Sequence, residues 1–332
     1  MRIIRTEAHP RAAIAGNPSD GYGGRTIAFS FRDFAARIVL YEWHEMEILP
    51  SADDRCRFAD LPSLVEDVRL HGYYGGLRLV KASMKRFAQY LAERGIASAP
   101  GPCAVRYSSD IPRQVGMAGS SAIITAVMRA LMAFHGVTIP QEELPEIILS
   151  VERDELGIAA GLQDRVAQVY GGLVYMDFAP ELFVRHGHGL YEPLPAECLA
   201  NVYVAYRTAL SKVSGAVHSN LRARFEAGEE LVVRTLREIA DVARTMRETL
   251  LAGRTAETKA LMDRNFDLRC QLYDVGAGNR EMVAAARAAG ASAKLAGSGG
   301  CIVGCYDSEA MFAQLSASLE ALGCRTLKPH IG

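Results

Sequence analysis

Residues 112–122 run Pro112-Arg113-Gln114-Val115-Gly116-Met117-Ala118-Gly119-Ser120-Ser121-Ala122, and a strongly apolar segment follows at once. The pattern predicts a short strand, a Gly/Ser loop and then a helix. Such a helix N-terminus exposes unpaired N–H groups and carries partial positive charge, so it can hold a phosphate. Glycines let the backbone approach the anion closely. Two serines at the helix start can cap it, and one can also reach a phosphate or Mg²⁺. Plain N-capping accounts for the same residues, because Ser is a favoured cap. The chain has no G-x-x-x-x-G-K-[ST] segment here, so this is not a Walker A loop.

Three further segments carry polar groups at turns. Lys294-Leu295-Ala296-Gly297-Ser298-Gly299-Gly300-Cys301-Ile302-Val303-Gly304 predicts two strands joined by a Gly/Ser turn. Residues 11–24 place Asp20 in a glycine-rich turn, where Asp also serves simply as a turn former. Glu152 precedes Gly161-Leu162-Gln163-Asp164, so a carboxylate follows a glycine after a helix end. An exposed helix charge is the plain alternative for Glu152. His186 and His188 suggest a metal only weakly, since one H-x-H in a Gly-rich stretch fits a loop.

The elements that must position these residues change along the chain. Arg2–Ile14 is expected to be extended, and Thr26–Trp43 to form a hairpin. Three- and four-residue apolar spacing predicts helices over Leu77–Arg94, Ser120–Phe134 and Leu144–Glu155. Cys103–Ser108, Leu173–Phe178 and Val202–Tyr206 are expected as strands. Beyond about residue 215 four helical patterns follow in a row: Val217–Glu226, Glu229–Leu251, Ala256–Tyr273 and Arg280–Ala289. Strand patterns at Ala291–Leu295 and Cys301–Tyr306, a helix at Glu309–Leu322 and a strand at Arg325–Leu327 complete an α+β architecture with two lobes.

Composition narrows the function classes. The 332 residues are 49% hydrophobic and 23% charged, as in an ordinary globular protein. Lys+Arg 37 against Asp+Glu 38 gives a net charge of −1, so no charge excess points to nucleic acid or an acidic membrane. The longest apolar candidate, Ala122–His135, is too short for a membrane span and is interrupted by Arg129. The residues Met1–Glu7 lack the apolar core of a signal peptide. The seven cysteines are scattered without a C-x-x-C pair. Cys301 and Cys305 share a strand face and are expected as core thiols, so a reducing, cytoplasmic compartment is expected.

Taken together, the four segments resemble the GHMP small-molecule kinases, whose three motifs occur in this order. Arg11-Ala-Ala-Ile-Ala-Gly-Asn-Pro-Ser-Asp20 stands where galactokinases carry their sugar-binding motif. Gly116-Met-Ala-Gly-Ser-Ser-Ala122 resembles the phosphate loop, and Ala296-Gly-Ser-Gly-Gly300 the third, glycine-rich motif. The match is closer to plant-type glucuronokinases, on Gly16–Asp20, Gly72-Tyr-Tyr-Gly-Gly76, Ile111–Gln114, Gly161–Gly172 and Asn265-Phe-Asp-Leu-Arg269. It spans roughly residues 10–305. Asn17-Pro18 replace the Glu-His of galactokinases, which speaks against galactose.

The resemblance implies a two-lobed GHMP kinase fold. Residues 1–195 would form an ATP- and Mg-binding N-terminal lobe of ribosomal protein S5-like type, and residues 196–332 a ferredoxin-like C-terminal lobe. It implies an ATP-dependent phosphotransferase acting on the anomeric hydroxyl of D-glucuronate, with Mg²⁺ as cofactor. ATP phosphates are expected on Gly116, Ala118, Gly119, Ser120 and Ser121, and Mg²⁺ on Ser121 and Glu152. Asp164 is expected to orient and deprotonate the sugar 1-hydroxyl, with Arg11 beside it. Asp20, Arg113, Gly297, Ser298 and Gly299 are expected at the sugar. Arg25, Arg113, Arg165, Lys212 and Arg222 stay open as partners of the uronate carboxylate, and Tyr73 and Tyr74 as lining residues. Other sugar 1-kinases (for galacturonate, galactose or another neutral sugar), kinases of mevalonate or homoserine, and a non-catalytic sugar sensor on this fold are the alternatives. The expected partners are small molecules, not nucleic acid or membrane, and the chain is expected as a monomer or homodimer.

Overall fold

The computed structural model describes residues 1–51, 54, 59–62, 64–65, 75–97, 101–199, 201–208 and 216–332. Tyr73, Tyr74 and Lys212 lie outside the described residues, as does most of the 72–76 segment. The chain forms two compact units, and neither is a continuous half of the sequence. The first holds residues 1–9, 34–111 and 119–160; the second holds 10–33, 112–118 and 161–332. The resemblance implies a single division between 195 and 196, which these interleaved units do not follow.

In the first unit, strands Ile3–Ala8, Ala36–Glu42, Cys103–Ser109 and Glu47–Leu49 pair side by side in that order, the last of them parallel to its neighbour. The helix Gly119–His135 lies on strands Ile3–Ala8 and Ala36–Glu42. Ala122, Ala126 and Ala130 recur every fourth residue and are fully buried, so the backbones approach closely. Thr6 Oγ1 donates to the Ala126 carbonyl at 2.7 Å, fixing helix to sheet. A second helix, Gly76–Glu93, packs on the first. The helix Leu144–Ser150 continues through a π-helical turn, Val151–Glu155. Such wide turns frequently mark functional sites.

The second unit has two four-stranded sheets. One runs Arg11–Ala15, Arg25–Ser30, Leu173–Asp177, Leu190–Leu194, with every pair antiparallel. Helices Glu230–Leu251 and Gln163–Tyr170 pack against it. The other runs Lys294–Leu295, Cys301–Cys305, Val202–Arg207, Cys324–Leu327. Tyr203, Ala205, Leu295 and Ile302 from its strands join Met282, Val283, Leu315 and Leu319 from helices Ala277–Ala288 and Glu309–Glu320 in one apolar core. Cys301 and Cys305 are buried thiols, as their shared parity required.

The hairpin expected over Thr26–Trp43 does not form. Arg25–Ser30 pairs with Arg11–Ala15 and Leu173–Asp177, whereas Ala36–Glu42 pairs with Ile3–Ala8 and Cys103–Ser109. Residues 31–35 carry the chain from one sheet to the other. Phe31 is buried and bridges to Ile331, and Asp33 accepts from the His330 N–H at 2.8 Å. The long extended run at the N-terminus is likewise two strands, split at Pro10, whose missing N–H cannot serve a ladder.

Candidate active site

Arg11 opens its strand with a side chain only 5% exposed. Its Nε donates to Asp164 Oδ1 at 2.6 Å, and its Nη1 donates to the Gly116 carbonyl at 2.6 Å and the Ala296 carbonyl at 3.3 Å. One guanidinium therefore joins the residue expected as base to two of the glycine-rich segments. Asp164 lies in the first turn of helix Gln163–Tyr170. It also receives a long bond from Gln163 Nε2, 3.4 Å, and an ion-pair contact from Arg165 Nη1, 3.5 Å. Arg165 is 3% exposed and donates to the Gly161 carbonyl at 2.7 Å. Burial, then repulsion from Arg11, pulls its guanidinium down to about 9.

Asp20 sits in the turn Ser19–Tyr22. A Cβ on Gly161 would come within 2.5 Å of Asp20 Oδ2, so the carboxyl rests against that glycine. Desolvation, joined by the charge of Asp164, pushes Asp20 up to about 6. Two carboxyls and two guanidiniums thus share one neighbourhood within the second unit, with Asp20 the carboxyl whose proton is held more tightly than usual.

The loop 112–118 lies against the turn at 297–300. A Cβ on Gly116 would stand 2.9 Å from both the Gly299 carbonyl oxygen and the Ser298 nitrogen. Left-handed backbone recurs at Gln114 (φ 57°), Gly116 (φ 70°) and Ala118 (φ 62°). Alternation of this kind turns successive N–H groups to one side and makes an anion-binding concavity. Gln168 Nε2 donates to the Ala118 carbonyl at 2.8 Å and holds that strained residue in place. Sequence could not show the left-handed Gln114 and Ala118, because neither residue type favours that conformation. On the opposite flank of the turn, Asn279 Oδ1 accepts from the Gly300 N–H at 2.8 Å.

In the first unit, Glu152 is 1% exposed and accepts from Ser120 Oγ at 2.9 Å. The π-helical turn carries this carboxylate. Ser121 is fully buried in the first turn of its helix, and its carbonyl accepts the Thr125 hydroxyl at 2.8 Å. The Glu152 carboxylate and the Ser121 hydroxyl are hard oxygen donors, the kind Mg²⁺ prefers over nitrogen or sulfur. Their chemistry fits that ion.

The candidate cations for a substrate carboxylate separate. Arg25 is engaged by Asp177, Nε to Oδ2 at 2.6 Å. Arg113 is exposed on its loop. Arg222 donates to the Gly21 carbonyl at 2.7 Å and lies 5.0 Å over the Tyr22 ring, next to the Asp20 turn. Arg165 is the buried one. The rings of His186 and His188 are 6.1 Å apart, and among the described residues no group of three or more His, Cys, Asp or Glu could hold a metal. No helix among the described residues is long and apolar enough to cross a membrane.

The sequence assigns no role to Lys294, Asn265 or Arg269, although Lys294 heads the Lys294–Gly304 segment and the other two bound the Asn265–Arg269 motif. All three are buried and bond to the glycine-rich segments.

Comparisons with known proteins show the family. The GHMP kinase N-terminal domain model matches residues 78–172 and the GHMP kinase C-terminal model residues 246–322. The chain is 40% identical over 306 residues to Glucuronokinase 1 of Arabidopsis thaliana, covering 90% of this chain and 84% of that protein. It is 43% identical over 308 residues to Probable glucuronokinase 2 of the same plant, covering 91% and 84%. In fold it is similar to Lactococcus lactis galactokinase complexed with galactose, with a TM-score of 0.80 at 15% identity, covering 100% of this chain and 94% of that one. Streptococcus pneumoniae phosphomevalonate kinase in complex with phosphomevalonate and AMPPNP gives 0.77 at 15%, covering 98% of each. The chain is thus a phosphotransferase with an alcohol acceptor and belongs to the GHMP kinase family.

Proposed function

We propose that the enzyme is a sugar 1-kinase that phosphorylates the anomeric hydroxyl of D-glucuronate. The observation that carries the chemistry is the Asp164 carboxylate held by Arg11 at 2.6 Å, with Asp20 in the same charged cluster. The 40–43% identity to glucuronokinases supports the substrate class.

In this reading Asp164 orients the 1-hydroxyl and accepts its proton as the oxygen attacks phosphorus. Arg11 holds the carboxylate in place and offers positive charge to the transferring group. Asp20 accepts hydrogen bonds from ring hydroxyls, Gly297–Gly299 close against the sugar, and Arg113 stands at its rim. Gly116, Ala118, Gly119, Ser120 and Ser121 receive the phosphates of ATP. Ser121 and Glu152 would hold Mg²⁺, and Ser120 orients Glu152. The ion, when bound, neutralises phosphate charge. The protein otherwise contributes positioning, because phosphoryl transfer needs no covalent intermediate. The free, mostly buried thiols among the described residues support a reducing compartment.

The test is a coupled ADP-release assay over a panel of uronic acids and neutral sugars. Glucuronate and glucose differ only at C6. A cation built for the carboxylate is left unpaired by glucose, at about 3–5 kcal/mol when buried. That corresponds to roughly 10²–10³-fold or more in kcat/KM. A ratio under about ten, the range of a merely solvated cation, removes the uronate reading in favour of a neutral-sugar kinase. A large ratio for galacturonate keeps the carboxylate pocket and reassigns the contacts to the C4 hydroxyl.

A further inference from the structure

Lys294 ends with its ammonium inside the second unit, 1% exposed. Nζ donates to the Ala13 carbonyl at 2.6 Å, Asn17 Oδ1 at 2.5 Å and the Leu295 carbonyl at 2.9 Å. Three acceptors match the three protons of an ammonium, and a neutral amine could serve only two of them. Among the described residues no carboxylate pairs with it, and burial, joined by the charges of Arg269 and Arg11, pulls its pKa well below the ordinary lysine value, against which the three acceptors hold the proton. An interior charge without a counter-ion is costly, so its retention asks for a purpose.

Its partner Asn17 supplies one. Asn17 is 5% exposed and stands three residues before Asp20. Lys294 can only donate, which fixes the Asn17 amide with its oxygen toward the ammonium. The Asn17 carbonyl accepts from Asn265 Nδ2 at 3.1 Å, and Asn265 Oδ1 accepts from the Gly16 N–H at 2.6 Å. Asn265 lies on helix Thr255–Leu272, and one turn further on Arg269 Nη1 donates to the Gly297 carbonyl at 2.9 Å. One helix and one ammonium therefore fix both the Gly16–Asp20 segment and the glycine-rich turn, and every group named is buried.

We propose that Lys294 is a positioning residue: through Asn17, and together with Asn265, it sets the loop that presents Asp20 to the sugar. The inference rests on the sugar-kinase reading above, but not on which sugar is the acceptor. It also gives a role to the Asn17 that stands where galactokinases have Glu. A carboxylate there would pair with Lys294 and could not keep the same amide geometry.

The experiment compares Lys294→Met, Asn17→Ala and the double variant, using whichever acceptor the wild type phosphorylates best. Folding is checked by circular dichroism and thermal melting. Loss of a charge-assisted bond should raise the acceptor KM by about 10–100-fold, with the KM for ATP within a few-fold of wild type. Because Lys294 acts through Asn17, the double variant should be no worse than the poorer single. Effects that multiply, a parallel rise in both KM values, or an unchanged acceptor KM overturn the proposal. If Lys294→Met does not fold, Asn265→Ala carries the same test, since it removes the loop bonds and leaves the charge in place. A wild type that refuses glucuronate and takes another sugar defeats the substrate assignment and leaves this test intact.

Discussion

Arg11 Nε stands 2.6 Å from Asp164 Oδ1, while Nη1 of the same guanidinium donates to the Gly116 carbonyl at 2.6 Å. The carboxylate that would take the proton and the loop that would take the phosphate are therefore tied to one rigid planar group. A shift of either is a shift of both.

Asp164→Asn keeps the shape and one acceptor oxygen but cannot accept a proton at neutral pH. Loss of general-base help costs ~10²–10⁴-fold in kcat. ATP binding, read by titration of a nucleotide analogue, is expected within a few-fold of wild type. Retention of more than about a third of wild-type kcat shows that Asp164 is not the base.

Asp20 gives a pH prediction of known sign. Its pKa is raised to about 6, chiefly by desolvation, so between about pH 4 and 6 the folded state binds more proton than the unfolded one. Its contribution to stability is fully present below pH 4 and is lost as pH rises through 6. The shift is worth about 3 kcal/mol at most. Denaturant unfolding of wild type and Asp20→Asn should diverge across this window, the stability of wild type relative to the variant falling as pH rises. Acceptor kcat/KM should move the opposite way and rise through pH 6, because the carboxylate accepts from ring hydroxyls at both oxygens and more strongly than the protonated carboxyl. Parallel stability curves would falsify the assignment of this titration to Asp20.

Ser120 and Ser121 are neighbours with different surroundings. Ser120 Oγ donates to Glu152 at 2.9 Å, and Ser121 is fully buried. Ser121→Ala is expected to raise the Mg²⁺ concentration needed for half-maximal activity, and Glu152→Gln to raise it further by removing the charge. Ser120→Ala should act more weakly, since it loosens a ligand without deleting one. Superimposable Mg²⁺ titrations for Ser121→Ala and wild type would demote Ser121 to a structural role.

How much was legible differs by link. Helices with a clean apolar stripe, such as Glu230–Leu251, were visible because a one-sided environment writes itself into the spacing. Arg25–Ser30 and Ala36–Glu42 were visible as strands but not as members of different sheets, since alternation reports burial and not partner. Asp20 and Asp164 were visible as carboxylates in a glycine-rich turn and after a glycine, whereas Arg11 lay in an extended segment and was named only through the resemblance. Their shared cluster depends on contacts across 153 positions of sequence, as between Arg11 and Asp164. Lys294 was hidden for the opposite reason: a Lys next to a turn is ordinarily solvated, and only the fold shows three acceptors closing over it.

Gly116→Ala separates two costs that glycine avoids. Gly116 has φ 70°, which disfavours a side chain by itself, and its Cβ would lie 2.9 Å from backbone atoms of Ser298 and Gly299. Gly136 supplies the control, because it has φ 66° and nothing within 4 Å of a Cβ. Gly136→Ala should lose about 1 kcal/mol, the conformational term alone. Gly116→Ala must also push backbone from backbone, with strain of about 1–3 kcal/mol more. The displaced segment is the loop read as the phosphate site, so its KM for ATP should rise while that of Gly136→Ala stays at the wild-type value. Denaturant unfolding and ATP saturation curves on both variants read the two terms apart. Equal stability losses and unchanged ATP saturation for Gly116→Ala would mean that the contact between the loop and the glycine-rich turn bears on neither folding nor nucleotide.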